Sequence, residues 1–98
     1  MSSILLHEVK GKSEILTFNN PEKLNILSEE MLEKLSAALL KSSSNPSTHV
    51  VILRSTGKAF CAGHDLKEMQ KARANNDGGL DYFKRLFKKC SNLMMQIQ

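Results

Sequence analysis

Val50-Val51-Ile52-Leu53 is a continuous apolar run, short and β-branched. A run without alternation reads as a strand buried on both faces, as in a parallel sheet. A parallel strand must be reached by a crossover, and the preceding residues supply one. Met31, Leu32, Leu35, Ala38 and Leu39 recur at helical spacing, so residues 29–42 are predicted to form an amphipathic helix. Ser28 stands where an N-cap belongs, with Glu29 and Glu30 in the first turn, where the helix dipole favours anions. Ser42-Ser43-Ser44-Asn45-Pro46 closes the helix. Upstream, Ile4 to Lys10 and Ser13 to Phe18 are apolar-rich runs separated by Gly11-Lys12, a hairpin signal. Asn19-Asn20-Pro21 ends the second strand, because proline cannot continue a ladder. Strand, strand, helix, strand includes a βαβ unit and predicts an α/β fold.

Past the apolar run, Asp65 can cap a short helix to about Arg73, and Ala74-Asn75-Asn76-Asp77-Gly78-Gly79 reads as a flexible polar breaker. Leu80, Phe83, Leu86, Phe87, Cys90, Leu93, Met94 and Ile97 then share one helical face. That pattern is still running at Gln96-Ile97-Gln98, with no closing cap, so the expectation is a helix that belongs to a longer chain. The 98 residues leave room for one domain at most, and no internal repeat is visible.

Composition excludes whole classes. With 41% hydrophobic and 24% charged residues the chain is neither disordered nor fibrous. No apolar run approaches the roughly 20 residues of a membrane span. No signal-peptide core is present, and the first arginine, Arg54, comes too late for a mitochondrial presequence. Two cysteines, Cys61 and Cys90, are too few for a disulfide framework, which points to the cytoplasm or another thiol-reducing compartment. Residues 67–89 hold seven bases against three acids, so they carry the whole net charge of +4. No nucleic-acid motif appears among those bases, so nucleic-acid binding ranks last. A solvated helix face is the plain account, and attraction of a phosphorylated small molecule is the alternative.

The segment Gly57 to Met69 follows the apolar strand and opens a helix, where α/β proteins place ligand crevices. Ala62-Gly63 are small, and the amides just after them sit at a helix N-terminus, suited to an oxygen that gains charge. A tight turn with an aspartate cap explains the same residues without any ligand. A Cys61–His64 zinc site would lack ligands, and Cys61 as a nucleophile has no evident base, so no metal and a plain small thiol are expected. Met31, Met69, Met94 and Met95 are expected in the core or lining a pocket.

Phe60-Cys61-Ala62-Gly63-His64-Asp65-Leu66-Lys67-Glu68-Met69 resembles the first signature of the enoyl-CoA hydratase/isomerase superfamily, also called the crotonase family. Phe18-Asn19-Asn20-Pro21-Glu22-Lys23-Leu24-Asn25-Ile26-Leu27 is similar to that family's other N-terminal hallmark. His64-Asp65-Leu66-Lys67 with Cys90-Ser91 and Met94-Met95 looks closest to its enoyl-CoA hydratase domain-containing branch. The resemblance covers essentially the whole chain and implies the N-terminal portion of a crotonase-like ββα-repeat spiral, one partial domain over residues 1–98. It implies that the His64 backbone N–H is one of two oxyanion-hole donors to a thioester carbonyl. It also implies that backbone groups of Leu24, Ile26 and Ala62 hold the ends of coenzyme A, with Lys23 and Lys67 near its phosphates. Gly63, Asp65 and Leu66 complete the binding loop. Coenzyme A arrives as part of the substrate, and no separate cofactor is implied.

The resemblance further implies a parent that hydrates 2-enoyl-CoA through a stabilised enolate, in the cytoplasm or mitochondrial matrix, assembled as a homotrimer or hexamer. Isomerisation and thioester hydrolysis use the same hole with other acid–base groups. The family's second oxyanion glycine and its catalytic glutamates have no counterpart in these 98 residues, and Glu68 is no substitute because it belongs to the helix after the loop. The chain alone is therefore expected to be inactive. The rival is a non-catalytic CoA-binding or subunit-interaction piece, supported by the apolar face from Leu80 to Ile97. The His64 imidazole is a candidate general base by residue type, while the resemblance uses only its amide.

Overall fold

A computed structural model describes residues 3–98. Two antiparallel strands, β1 (Leu5–Lys10) and β2 (Ser13–Phe18), form the expected hairpin. Gly11, at φ +60°, takes the turn position that needs a positive φ. Helix α1 (Glu29–Ser43) crosses over to β3 (Val50–Ser55), which pairs parallel with β2, so the sheet order is β1-β2-β3. The βαβ unit predicted from the sequence is present. Two more helices follow, α2 (Leu66–Arg73) and α3 (Leu80–Ile97).

The strand buried on both faces is β2, not β3. Ile15, Leu16 and Phe18 are each at most 4% exposed. In β3 burial alternates, and Val50 and Ile52 are 49% and 43% exposed. The reason is position. Leu16 and Phe18 face the helices, whereas Ile15 and Thr17 face outward but are flanked by strands on both sides. Above them Arg54 of β3 reaches across to Glu8 of β1 at 2.7 Å, and its Nε donates to Thr17 Oγ1 at 3.3 Å. Strand β3 is an edge strand, with only Val51 and Leu53 turned to the core.

That core joins Leu16 and Phe18 to Met31, Leu32 and Leu35 of α1, Ala72 of α2, and Tyr82, Leu86 and Leu93 of α3. The expectation for the methionines divides. Met31 is fully buried and Met69 packs against the core, but Met94 and Met95 are largely exposed. Both lie beside the stripe of α3 that α1 covers, which runs through Leu86 and Leu93. The predicted caps are both present. Ser28 Oγ accepts from Met31 N–H at 3.1 Å, and Asp65 Oδ1 accepts from Glu68 N–H at 3.1 Å.

Candidate functional site

Two loops make the site, and one side chain ties them. After β2, Pro21–Lys23 forms a single 3-10 turn, and Leu24 and Asn25 follow at φ +55° and +53°. Asparagine tolerates this left-handed region better than most residues, and leucine does not, so packing must hold the pair there. Asn25 is fully buried. Its Oδ1 accepts the Asn20 N–H at 2.7 Å, and its Nδ2 donates to the carbonyls of Thr56 and Ala59 at 2.8 and 2.9 Å. The Asn-Pro turn is thereby fastened to the loop after β3. Gly57 presses on the same turn, since a Cβ there would lie 2.6 Å from Pro21 Cβ.

The second half of that loop runs beside the turn as a short two-strand seam. Ala62 N–H donates to Leu24 C=O at 3.1 Å, Leu27 N–H donates to Gly63 C=O at 2.7 Å, and Leu27 and His64 form a parallel bridge. Gly63, at φ +93°, turns the chain so that Asp65 can cap α2. The two segments enclose a cleft of about 370 Å³, within the size range of small-molecule sites. Lys23, Leu24, Ile26, Ala62, His64, Asp65, Leu66 and Lys67 line it. Of the residues singled out in the sequence only Gly63 does not line it, contributing its backbone turn instead. Glu22 lines the cleft too and was not anticipated; its place beside Lys23 in the Pro21 turn was the available sign.

The seam uses some of the backbone groups that the resemblance reserved for a ligand. Leu24 N–H donates to Pro21 C=O at 3.0 Å, and Leu24 C=O is taken by Ala62. The His64 N–H and both backbone groups of Ile26 have no hydrogen-bond partner among the described residues. An unengaged amide beside a lined cleft can donate to an oxygen held there. Around it the electrostatics are mixed, with Lys23 and Lys67 opposing Glu22 and Asp65. Glu68 is engaged elsewhere. Its Oε1 accepts from Glu29 N–H at 3.1 Å and from Tyr82 Oη at 2.7 Å. Burial and that carboxylate push the Tyr82 phenol well above its usual range. Among the described residues no three His, Cys, Asp or Glu side chains gather as a metal site, and both cysteines are free thiols.

The sequence model for enoyl-CoA hydratase/isomerase matches residues 13–98. The chain belongs to that family. Enoyl-CoA hydratase domain-containing protein 3, mitochondrial, of Danio rerio is 42% identical over 97 residues, covering 99% of this chain and 32% of the relative. The 3-hydroxyisobutyryl-CoA hydrolase, mitochondrial, of Bos taurus is 38% identical over 73 residues, 74% of this chain and 19% of its own. Among solved structures, an enoyl-CoA hydratase of Mycobacterium smegmatis superposes with a TM-score of 0.87 at 39% identity, over 98% of this chain and 36% of the other. Human enoyl-CoA hydratase domain-containing protein 3 gives 0.83 at 29% identity, over 97% and 36%. The fold is thus the crotonase fold, and the chain spans between about a fifth and about a third of the length of these relatives.

Proposed function

We propose that the chain is the acyl-CoA-binding part of an enzyme that adds water to 2-enoyl-CoA thioesters. The observation that carries this reading is the His64 N–H, which has no hydrogen-bond partner among the described residues and belongs to a residue lining the cleft. A thioester carbonyl seated on that amide gains a donor where charge develops as the enolate forms, and a fixed donor needs no reorganisation. Ile26 offers backbone groups and Lys23 and Lys67 offer charge to the rest of coenzyme A. The acid and base are expected outside this set: Glu68, the glutamate of the loop motif, is committed to Glu29 and Tyr82, and Glu22, which lines the cleft, stands beside Lys23 in the Pro21 turn. The mitochondrial names of the relatives favour a mitochondrial compartment.

Calorimetric titration with butyryl-CoA and an absorbance assay with crotonyl-CoA test the division of labour. The chain is expected to bind the first and not turn over the second. Gly63→Val, strained at φ +93°, tilts the loop that presents the amide and is expected to weaken binding at least tenfold. Unchanged affinity in that variant refutes the loop assignment, and turnover by the chain alone refutes the missing acid and base. Thioester hydrolysis is the second reading, favoured by the cattle hydrolase relative. Release of free thiol from 3-hydroxyisobutyryl-CoA by the whole protein would select it.

A further inference from the structure

The donor in the reading above belongs to the peptide unit between Gly63 and His64, and its direction is set from the opposite side. Leu27 N–H donates to Gly63 C=O at 2.7 Å. In a trans peptide the carbonyl and the N–H point opposite ways, so holding the Gly63 oxygen on Leu27 turns the His64 N–H away from it. That bond fixes one end of the unit. The other end runs into Asp65 and α2, and α2 grips little by itself. Leu66, at its start, is 72% exposed, and its one buried residue, Ala72, lies in its last turn.

What holds the first turn is Glu68. Asp65 and Glu68 have the spacing of a capping box, in which the glutamate turns back to the N–H of the capping residue. Here Asp65 Oδ1 takes the Glu68 N–H, but the Glu68 carboxylate reaches out to two other helices. Its Oε1 accepts from Glu29 N–H at 3.1 Å, an amide at the start of α1 that has no partner inside that helix, and from Tyr82 Oη at 2.7 Å. Tyr82 is 7% exposed, and Glu68 is the one acceptor of its hydroxyl among the described residues. Residues 27–29 are thus bonded to the loop on both sides of His64, through Gly63 C=O before it and the Glu68 carboxylate after it.

We infer that Glu68 is a positioning residue, supported by Tyr82, which holds the start of α2 so that the His64 N–H stays aimed at a thioester oxygen. This rests on the acyl-CoA reading of the cleft. An amide that loses its aim loses one net hydrogen bond to the carbonyl, which corresponds to roughly fivefold in affinity.

The test measures butyryl-CoA affinity by calorimetry and follows the His64 amide in proton–nitrogen correlation spectra of the unliganded chain. Glu68→Ala is expected to weaken binding roughly fivefold and to shift the His64 amide resonance. Glu68→Gln keeps an Oε1 acceptor for both donors and is expected to bring both readouts back close to the parent values. Tyr82→Phe removes one oxygen, leaves Glu68 on Glu29, and is expected to fall between the two; it carries the test if Glu68→Ala does not fold. Leu93→Ala, in the far half of α3, lowers stability without touching the loop and is expected to keep the parent affinity. Parent-like binding by Glu68→Ala (or by Tyr82→Phe in its place), no rescue by Glu68→Gln, or an equal loss in Leu93→Ala overturns the inference and leaves the acyl-CoA reading standing. Failure of the parent chain to bind butyryl-CoA overturns both.

Discussion

Asn25 shows how much a single side chain can decide. It is fully buried, sits at φ +53°, and fills all three of its hydrogen bonds with main-chain groups of two different loops. Its truncation to alanine removes no charge and little apolar area. It leaves the Asn20 N–H and the Thr56 and Ala59 carbonyls without their partner. Unpaired buried polar groups of this kind make Asn25→Ala about 3 kcal/mol less stable in urea unfolding. A loss under about 0.5 kcal/mol would show that the loops hold each other without the staple. Asn25→Asp fares no better, because it sets a carboxylate oxygen against two carbonyls. The Leu24-Asn25 pair was visible in the sequence as part of a motif. Its staple was not, because the partners lie more than thirty residues away and depend on where β3 ends.

Between elements, the strongest charged contact joins the first turn of α1 to the middle of α3. Arg85 grips the Glu29 carboxylate through Nε at 2.7 Å and Nη2 at 2.8 Å, and Lys89 adds a bond at 2.9 Å while also reaching Glu33. Arg85 above all, with Lys89, holds the Glu29 carboxyl down to about 2, against the opposing effect of burial. A carboxyl whose value is lower in the folded chain stabilises fully above its unfolded value near 4.5 and loses that contribution as pH falls toward 2. Arg85 is half-exposed, so solvent screening reduces the clamp to about 1 kcal/mol at neutral pH. Glu29→Gln is expected to lower stability by that amount at pH 7 and to flatten the fall between pH 4.5 and 2. An unaltered acid slope in unfolding curves would assign the pH dependence to other carboxylates. The helices themselves were readable from spacing and caps, since Ser28 and Asp65 act locally. The start of α3 at Leu80 was readable as well, but its cap was not. Asp77, read as part of a loose breaker, accepts from Gly79 N–H at 2.9 Å and Asp81 N–H at 3.1 Å, and those bonds hold its carboxyl low. A cap two residues ahead of a left-handed glycine gives no simple pattern in sequence.

For the whole molecule, the Cα radius of gyration is 14.7 Å and the longest extent 49 Å, against roughly 13 Å for a compact domain of this length. The core is therefore one-sided, and similar residues on one helix face differ sharply in what they contribute. Leu80, Leu86 and Leu93 all belong to the apolar pattern of α3, yet Leu86 and Leu93 are fully buried against α1 while Leu80 is 55% exposed. Periodicity reports the width of an apolar face and is silent on how much of it a neighbour covers. Only α1 lies alongside α3 for most of its length, so the covered stripe follows Tyr82, Leu86 and Leu93, and Leu80, Phe87 and Met94 stay about half open. Leu86→Ala opens a cavity at the junction of α1 and α3 and is expected to cost about 3 kcal/mol, lowering Tm by some 12–24 °C. Leu80→Ala, made at the rim, is expected to cost under about 0.5 kcal/mol. Calorimetric melting of the two variants under one set of conditions decides the matter, because comparable losses would mean that the uncovered stripe is packed after all.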